Sequence, residues 1–389
     1  MKVFCAALTG ALLLAGMAHA QASADPFIWL EDVDAPRSMD WVASQNARSA
    51  KRLETDPRYA TFLAEARAIF TAKDRIPWPT FRAGGVDNLW QDDTHVHGVW
   101  RHAALATYRS AEPVWETLLD LDALSKAEGK NWIWKGATCL RPAQTVCLVE
   151  LSNGGGDAVE IREFDTVKKA FVEGGFRLAE GKQNADWLDA DTLVVDRIWT
   201  PGDETPSGYA YIAKTLTRDG QVKEIYRGQK TDVAASVLVL RGAGGKAEGL
   251  IARRGLTFFE NEFLLLEGGK TLTVPLPKKA EYQAYIDGQV VFQLKDAWGG
   301  YGAGALIAYD LEALKAGTAK AELIFQPGPR QAITDVYDTH DRLVVNLLDE
   351  VKGAVDAYDR RDGKWTARRL ALPKDATFTV RSASGESDQ

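Results

Sequence analysis

Apolar and polar positions alternate in short runs through most of this chain, and the same arrangement of runs recurs. Its clearest copies are DAVEIREFDTVKKAFV from Asp157, GYAYIAKTLTRDGQVKEIY from Gly208, GALIAYDLEALKAGTAKAELIF from Gly304 and GAVDAYDRRDGKWTARRL from Gly353. Each passes through an alternating run, turns at a charged or glycine-bearing loop and returns as a second run. A two-residue period is that of a strand with one packed and one wetter face, as in Val159 and Ile161 against Glu160 and Arg162. The starts lie 51, 96 and 49 residues apart, and the 96 spans two periods, with the intermediate copy at FENEFLLLEGGKTLTVPL from Phe259. A period near 50 residues built from strands alone predicts the blades of a β-propeller. Six hairpin units fall near residues 105, 157, 208, 259, 304 and 353. WLDADTLVVD (187–196) and VYDTHDRLVVN (336–346) are strand–turn–strand units of a second kind, turning at Asp189-Ala190-Asp191 and at Asp338 to Asp341. Thr377-Phe378-Thr379-Val380 reads as a strand just begun. The expected fold is mainly β, a propeller of the seven-bladed type with about six blades and part of another.

Before this region the period changes to three and four. Met39, Val42, Asn46, Ala50 and Leu53 share a face of a helix starting near Ser38. A second helix is signalled by Asp56-Pro57, a cap followed by proline, with Tyr59, Phe62, Leu63, Ala66, Ile69 and Phe70 on its face. Both end before Pro77-Trp78-Pro79. Two short amphipathic helices bury their faces poorly on each other alone and need a further surface. Residues 21–78 are thus expected to form a helical segment and 79–389 the propeller. Residues 1–20 have the three parts of a secretory signal peptide: Lys2, an apolar run from Ala6 to Met17, and Ala18-His19-Ala20 as cleavage site. That run is too short to span a bilayer. Cys5 lies inside the signal peptide and no cysteine directly follows the cleavage point, so no lipid anchor is implied, and the mature chain is expected to be exported, periplasmic or secreted, without a membrane attachment.

Composition narrows the partners. Apolar residues make up 46% of the chain and charged residues 26%, as in ordinary globular proteins. A net charge of −7 without a basic run excludes a nucleic-acid surface. Cys139 and Cys147 remain after the leader, with seven residues between them. In an oxidising compartment a disulfide there would contribute about 2–3 kcal/mol through loop entropy; the other reading is two separately buried thiols.

The candidate chemistry is sparse. No G-x-S-x-G nucleophile elbow occurs, and the strings around Ser152 and Ser384 lack the preceding glycine. His95, His97 and His102 lack the Cys/His company of a zinc site and read as surface or turn residues. Asp186, Asp189 and Asp191 lack the glycine and distal glutamate of a calcium loop and read as a hairpin turn. Gly154-Gly155-Gly156 lies between two strands, which makes it a flexible loop and not a phosphate cradle. Trp90, Trp100, Trp132, Trp134 and Trp187 could line a carbohydrate site, but packing between blades accounts for most of the twelve tryptophans. No catalytic residue, metal or cofactor is expected in this chain.

Several segments carry a family resemblance. DPFIWLED from Asp25, followed by a helix with Trp41 and Asn46, resembles the N-terminal signature of the prolyl oligopeptidase family of serine peptidases. NLWQDDTHVHGVWRH (88–102), ETLLDLDAL (116–124) and NWIWKGATCL (131–140) are similar to its first propeller strands. The resemblance implies a seven-bladed propeller over an α/β-hydrolase domain, onto which the N-terminal helices wrap. It implies hydrolysis of short peptides on the carboxyl side of proline, with the propeller channel as a size filter. The triad would then lie in a hydrolase domain after the propeller, and this chain is expected to be truncated before it and inactive alone. Its expected partners are short peptides in the channel and that missing domain. Two other readings stay open: a stand-alone propeller that binds peptides or proteins, and a propeller enzyme of another class, such as a glycosidase with carboxylates in its channel.

Overall fold

The computed structural model describes residues 25–387, so the expected signal peptide lies outside the described residues. The chain divides into two units at Phe70 and Thr71. In the first, a 3-10 turn at Ile28–Glu31 precedes helix α1, Pro36–Glu54, and helix α2, Tyr59–Phe70. Helix α1 begins two residues before the expected Ser38 because Pro36, with its fixed φ and missing N–H, fits the first turn. The buried Ser38 donates its hydroxyl to the Trp29 carbonyl (3.1 Å), and Arg37 lies over the Trp29 ring, so the turn and helix are fixed together. Helix α2 begins later than Asp56-Pro57 because the Asp56 carboxylate takes the Arg58 N–H (2.9 Å) and guanidinium, holding those residues in a turn. Met39, Leu53, Phe62, Ile69 and Phe70 stay exposed.

Among the described residues the second unit holds six antiparallel sheets built from consecutive strands, five of four strands and one of five. Sheet 1 is β1 Thr80–Arg82, β2 Gly85–Trp90, β3 Val99–Ala104 and β4 Glu116–Asp120. Sheet 2 is β5 Trp132–Cys139, β6 Val146–Asn153, β7 Val159–Asp165 and β8 Ala170–Phe171, with β9 Arg177–Gly181 also on β7. Sheet 3 is β10 Gln183–Asp189, β11 Thr192–Arg197, β12 Ile212–Thr217 and β13 Val222–Arg227. Sheet 4 is β14 Ala234–Arg241, β15 Ala247–Gly255, β16 Asn261–Glu267 and β17 Lys270–Thr273. Sheet 5 is β18 Ala280–Ile286, β19 Gln289–Leu294, β20 Leu306–Asp310 and β21 Glu322–Phe325. Sheet 6 is β22 Gln331–Asp338, β23 Leu343–Asp349, β24 Lys352–Arg361 and β25 Lys364–Arg369. The fold is a six-bladed β-propeller. The recurring sequence unit marks the third and fourth strands of each blade, and the WLDADTLVVD and VYDTHDRLVVN hairpins are the first two strands of sheets 3 and 6.

The sheets pack face to face in series. Trp100, Trp132 and Phe164 fill the seam between sheets 1 and 2; Ile161, Trp187 and Leu193 fill the next. A middle strand with a sheet on either side serves two seams: Leu193 and Val195 face sheet 2 while Val194 faces sheet 4. That two-sided burial explains near-continuous apolar runs such as the wholly buried β19. Short helices α3 Leu105–Tyr108, α4 Leu121–Glu128 and α5 Leu311–Lys315 fill connections. Asp120 and Asp310 cap α4 and α5 by accepting the N–H of Ala123 (2.9 Å) and Ala313 (2.8 Å).

The strand expected at 377–380 does not form. Its backbone acceptors are taken by side chains in place of a ladder: Asn346 Nδ2 donates to Phe378 O (2.9 Å) and Tyr337 Oη to Val380 O (3.0 Å). Ser382 Oγ then accepts the Phe81 N–H (2.9 Å), so this extended segment ties the last sheet to the first.

Candidate functional site

The first strands of successive sheets approach one another, β5 to β10, β10 to β14, β14 to β18 and β18 to β22, and so form the inner wall of the ring. Four antiparallel strands return the chain to the face where it started. All the first hairpins therefore turn on one face, around one mouth of the channel. There Arg141, just beyond β5, binds the Glu386 carboxylate and the Gly385 carbonyl (2.8 Å). Gly245, in the β14–β15 turn, lies against Arg141: a Cβ added there would sit 2.4 Å from Arg141 Cβ. With φ at +81°, the position also favours glycine for its backbone. Arg141 and Gly245 belong to sheets 2 and 4, which are not neighbours in the ring, so these hairpins cross the opening. His340, in the β22–β23 turn, donates its N–H to Ser387 O (3.3 Å) and brings sheet 6 to the same place.

The mouth is charged. Arg241, at the end of β14, pairs with Asp186 (2.7 Å) and donates to the Trp187 carbonyl. Burial pushes the Asp186 carboxyl up, and the charges of Arg241 and Arg141 pull against it. Burial also raises Asp338, again opposed by Arg141. The Tyr282 hydroxyl is raised by burial and then by those two carboxylates. Two guanidiniums and three carboxylates thus converge from five parts of the chain. They can hold a charged group or close on each other, and they include no nucleophile with a paired base.

Cys139 and Cys147 are disulfide-bonded across the last register pair of β5 and β6. The bridge closes the hairpin that carries Arg141. Replacing both cysteines by alanine is expected to lower the unfolding free energy by about 2–3 kcal/mol, the entropy of the loop it closes. Urea melts of the variant against the oxidised parent measure this.

The other residues singled out in the sequence do not converge. His95 pairs with Asp92 (3.0 Å), His97 bonds the Trp132 carbonyl (2.8 Å) and His102 pairs with Asp87 (2.7 Å). His95 and His97 lie in the loop after β2, not on a strand. Asp189 accepts the Asp191 N–H (2.8 Å) within its turn, Asp191 pairs with Arg218, and Asp186 points to the mouth. Among the described residues no His, Cys, Asp or Glu cluster is placed to hold a metal. Ser152 is buried and donates to Gly156 O (2.9 Å) across the Gly154–Gly156 loop. Ser384 accepts the Glu386 N–H within the 384–387 turn. Trp100, Trp132 and Trp187 are buried, donating to Asp87, Glu128 and the Thr138 carbonyl. Trp134 packs on Trp100, and Trp90 stacks between Arg75 and Arg101. The mouth residues Arg141, Arg241, Asp338 and Glu386 were not expected from sequence. Their common signal is a charge at or just beyond the end of a first strand or, for Glu386, of the extended segment.

Comparison with known proteins matches residues 15–389 to the family described as prolyl oligopeptidase, N-terminal beta-propeller domain. An uncharacterized peptidase of Sinorhizobium fredii, y4nA, is 42% identical over 382 residues, covering 94% of this chain and 53% of the relative. An uncharacterized peptidase of Rickettsia prowazekii, RP174, is 25% identical over 384 residues, covering 92% and 53%. In structure, a post-proline cleaving enzyme from Rickettsia typhi superposes with a TM-score of 0.83 at 24% identity, over 89% of this chain and 53% of that one. The chain spans about half the length of the curated relatives it matches.

Proposed function

This chain belongs to the prolyl oligopeptidase family, matching its N-terminal β-propeller domain, and we propose on that premise that it gates the catalytic domain of an exported serine endopeptidase for short proline-containing peptides. The observation that carries this reading is the meeting of non-neighbouring hairpins over the channel mouth at Arg141. A compact domain of 100 residues has a radius of gyration of about 13 Å and cannot pass an opening bridged in this way. An extended peptide needs only the space of one strand. The exposed faces of α1 and α2 suit docking on the hydrolase domain of the whole protein. The leader-like residues 1–20 and the Cys139–Cys147 bridge favour export.

The test uses the whole protein, this chain together with its hydrolase region. It is expected to cleave proline-containing octapeptides after proline and to spare a folded protein, while this chain alone cleaves neither. Cleavage of the folded protein at a comparable rate would overturn the gate. Arg141→Ala in the whole protein should raise kcat/KM for peptides of 30 residues or so by about fivefold, the equivalent of one partly exposed ion pair, with octapeptides unchanged. A second reading, a propeller that binds peptides without catalysis, draws support from the Ser382–Phe81 tie between the last and first sheets. It predicts one cooperative melt of this chain alone, unaltered by adding the hydrolase region.

A further inference from the structure

The second hairpins turn on the face of the ring opposite the charged mouth. There, between sheets 4 and 5, the buried cluster that includes Phe263 opens into a groove of about 820 Å³. The β15–β16 turn overhangs it. Leu256 and Thr257 both donate to Glu260 O, and this closed turn presents the Phe258 and Phe259 rings edge to face at 5.0 Å. The two rings are 85% and 75% exposed. Beside them lies the exposed Arg253, whose Nε donates to Asn261 Oδ1 (2.9 Å). Among the described residues, Arg253 has no carboxylate within ion-pair distance. Lys295 and Lys279 also line the groove, in exposed pairs with Glu281 (2.7 Å) and Asp296 (3.0 Å). Glu281 lines the groove as well, so three cations face one anion there, and Arg253 is the cation without a carboxylate, on a chain whose net charge is −7.

An exposed aromatic pair next to an unpaired guanidinium suits a ligand with an apolar group adjacent to an anion. Arginine favours a planar carboxylate, which it can bind through two parallel N–H donors. We propose that this groove binds an acidic peptide segment, with its carboxylate on Arg253 and the neighbouring apolar side chain against Phe258 and Phe259. The proposal deepens the reading that peptides are handled by this domain, and rests on it: it adds a preference for a carboxylate, from an acidic side chain or a chain terminus.

Fluorescence anisotropy with this full chain tests it, using three fluorescein-labelled heptapeptides of glycine, proline and leucine. One carries a glutamate after leucine and an amidated end; one carries glutamine there and a free terminal carboxylate; one carries glutamine and an amidated end. The first is expected to bind about tenfold more tightly than the third, as for one charge-assisted bidentate pair, and tight binding of the second would identify the terminus as an equal source. Arg253→Gln should erase the difference, and Phe258→Ser with Phe259→Ser should weaken all three alike. Both variants alter exposed positions, and circular dichroism checks that the fold is retained. Equal binding of the three peptides, no binding at all, or an unchanged preference in Arg253→Gln overturns the proposal. These outcomes leave size selection by the whole protein untouched, and loss of size selection leaves the carboxylate preference untouched, so the two readings fail separately.

Discussion

Replacing Arg162 by leucine is expected to lower the unfolding free energy by about 3–5 kcal/mol, the cost of removing one partner from a buried ion pair. Arg162 lies on β7 with its side chain 7% exposed, beside the 5% exposed Glu160. Its Nε donates to Glu160 (2.8 Å), and its two terminal nitrogens form a bidentate pair with Glu128 at the end of α4 (2.7 and 2.8 Å). The guanidinium also lies 5.0 Å from the Trp132 ring. It thus joins α4, sheet 2 and the first seam. The bidentate bond to Arg162 is the main reason the Glu128 carboxyl sits below its ordinary range. Burial alone would raise Glu160, but Arg162 and Arg177 outweigh it and hold the group low. Without Arg162, the buried Glu160 keeps only the exposed Arg177 and the more distant Lys130 (3.6 Å). Urea denaturation measures the loss. Glu160→Gln placed on the leucine variant should recover part of it, because the unpaired buried charge is then gone; a loss below about 1 kcal/mol would mean that the network behaves like an exposed pair.

The period of the chain could be read because the third strands are regular, and the first strands were hidden for a structural reason. In sheets 2 to 6 the pairing of the first strand shifts register: at Trp134/Gly136, Trp187/Asp189, Leu240/Arg241, Tyr282/Ala284 and Ile333/Asp335. In sheets 2, 3, 5 and 6 the extra residue lies in the first strand and reverses the faces beyond it, so its two-residue alternation breaks, while in sheet 4 the extra residue is Glu248 of β15. The charged mouth is built at the ends of these same strands. Its residues therefore fall where alternation gives no guide, and Glu386 joins them only through the fold. Helix α5 was missed because five residues cannot display a helical period; its visible trace was the cap, Asp310, followed by Leu311 and Leu314, which are buried. The Cys139–Cys147 spacing and the export signal favoured a bridge but left two separate thiols open, until the hairpin register put the two residues opposite each other. The exposed faces of α1 and α2 followed directly from their sequence period, since that period alone makes one side apolar.

Asp196 should make the domain more stable in mild acid. It lies on β11 opposite Asn184, buried, with Asn184 Nδ2 donating to its carboxylate (2.7 Å) and the Val237 N–H reaching it from sheet 4. Burial is the largest effect on this group, and these bonds offset it only in part, so its pKa is pushed up to about 6 from 3.8. The folded state then holds the proton more tightly than the unfolded state. Its contribution to stability is fully present below about pH 4 and is lost as the pH rises through 6, a total of about 3 kcal/mol. Between pH 4.5 and 7.5 the expected loss is about 2 kcal/mol. Other carboxylates act in the opposite sense, because Glu128 and Glu160 are held low and lose their stabilisation in acid. The Asp196 effect is therefore measured as a difference between proteins. In urea melts across this range, Asp196→Asn should gain about 2 kcal/mol on the parent as the pH rises, since its amide has no charge to desolvate. Parallel pH profiles for the two proteins would mean that Asp196 ionises as freely as an exposed aspartate.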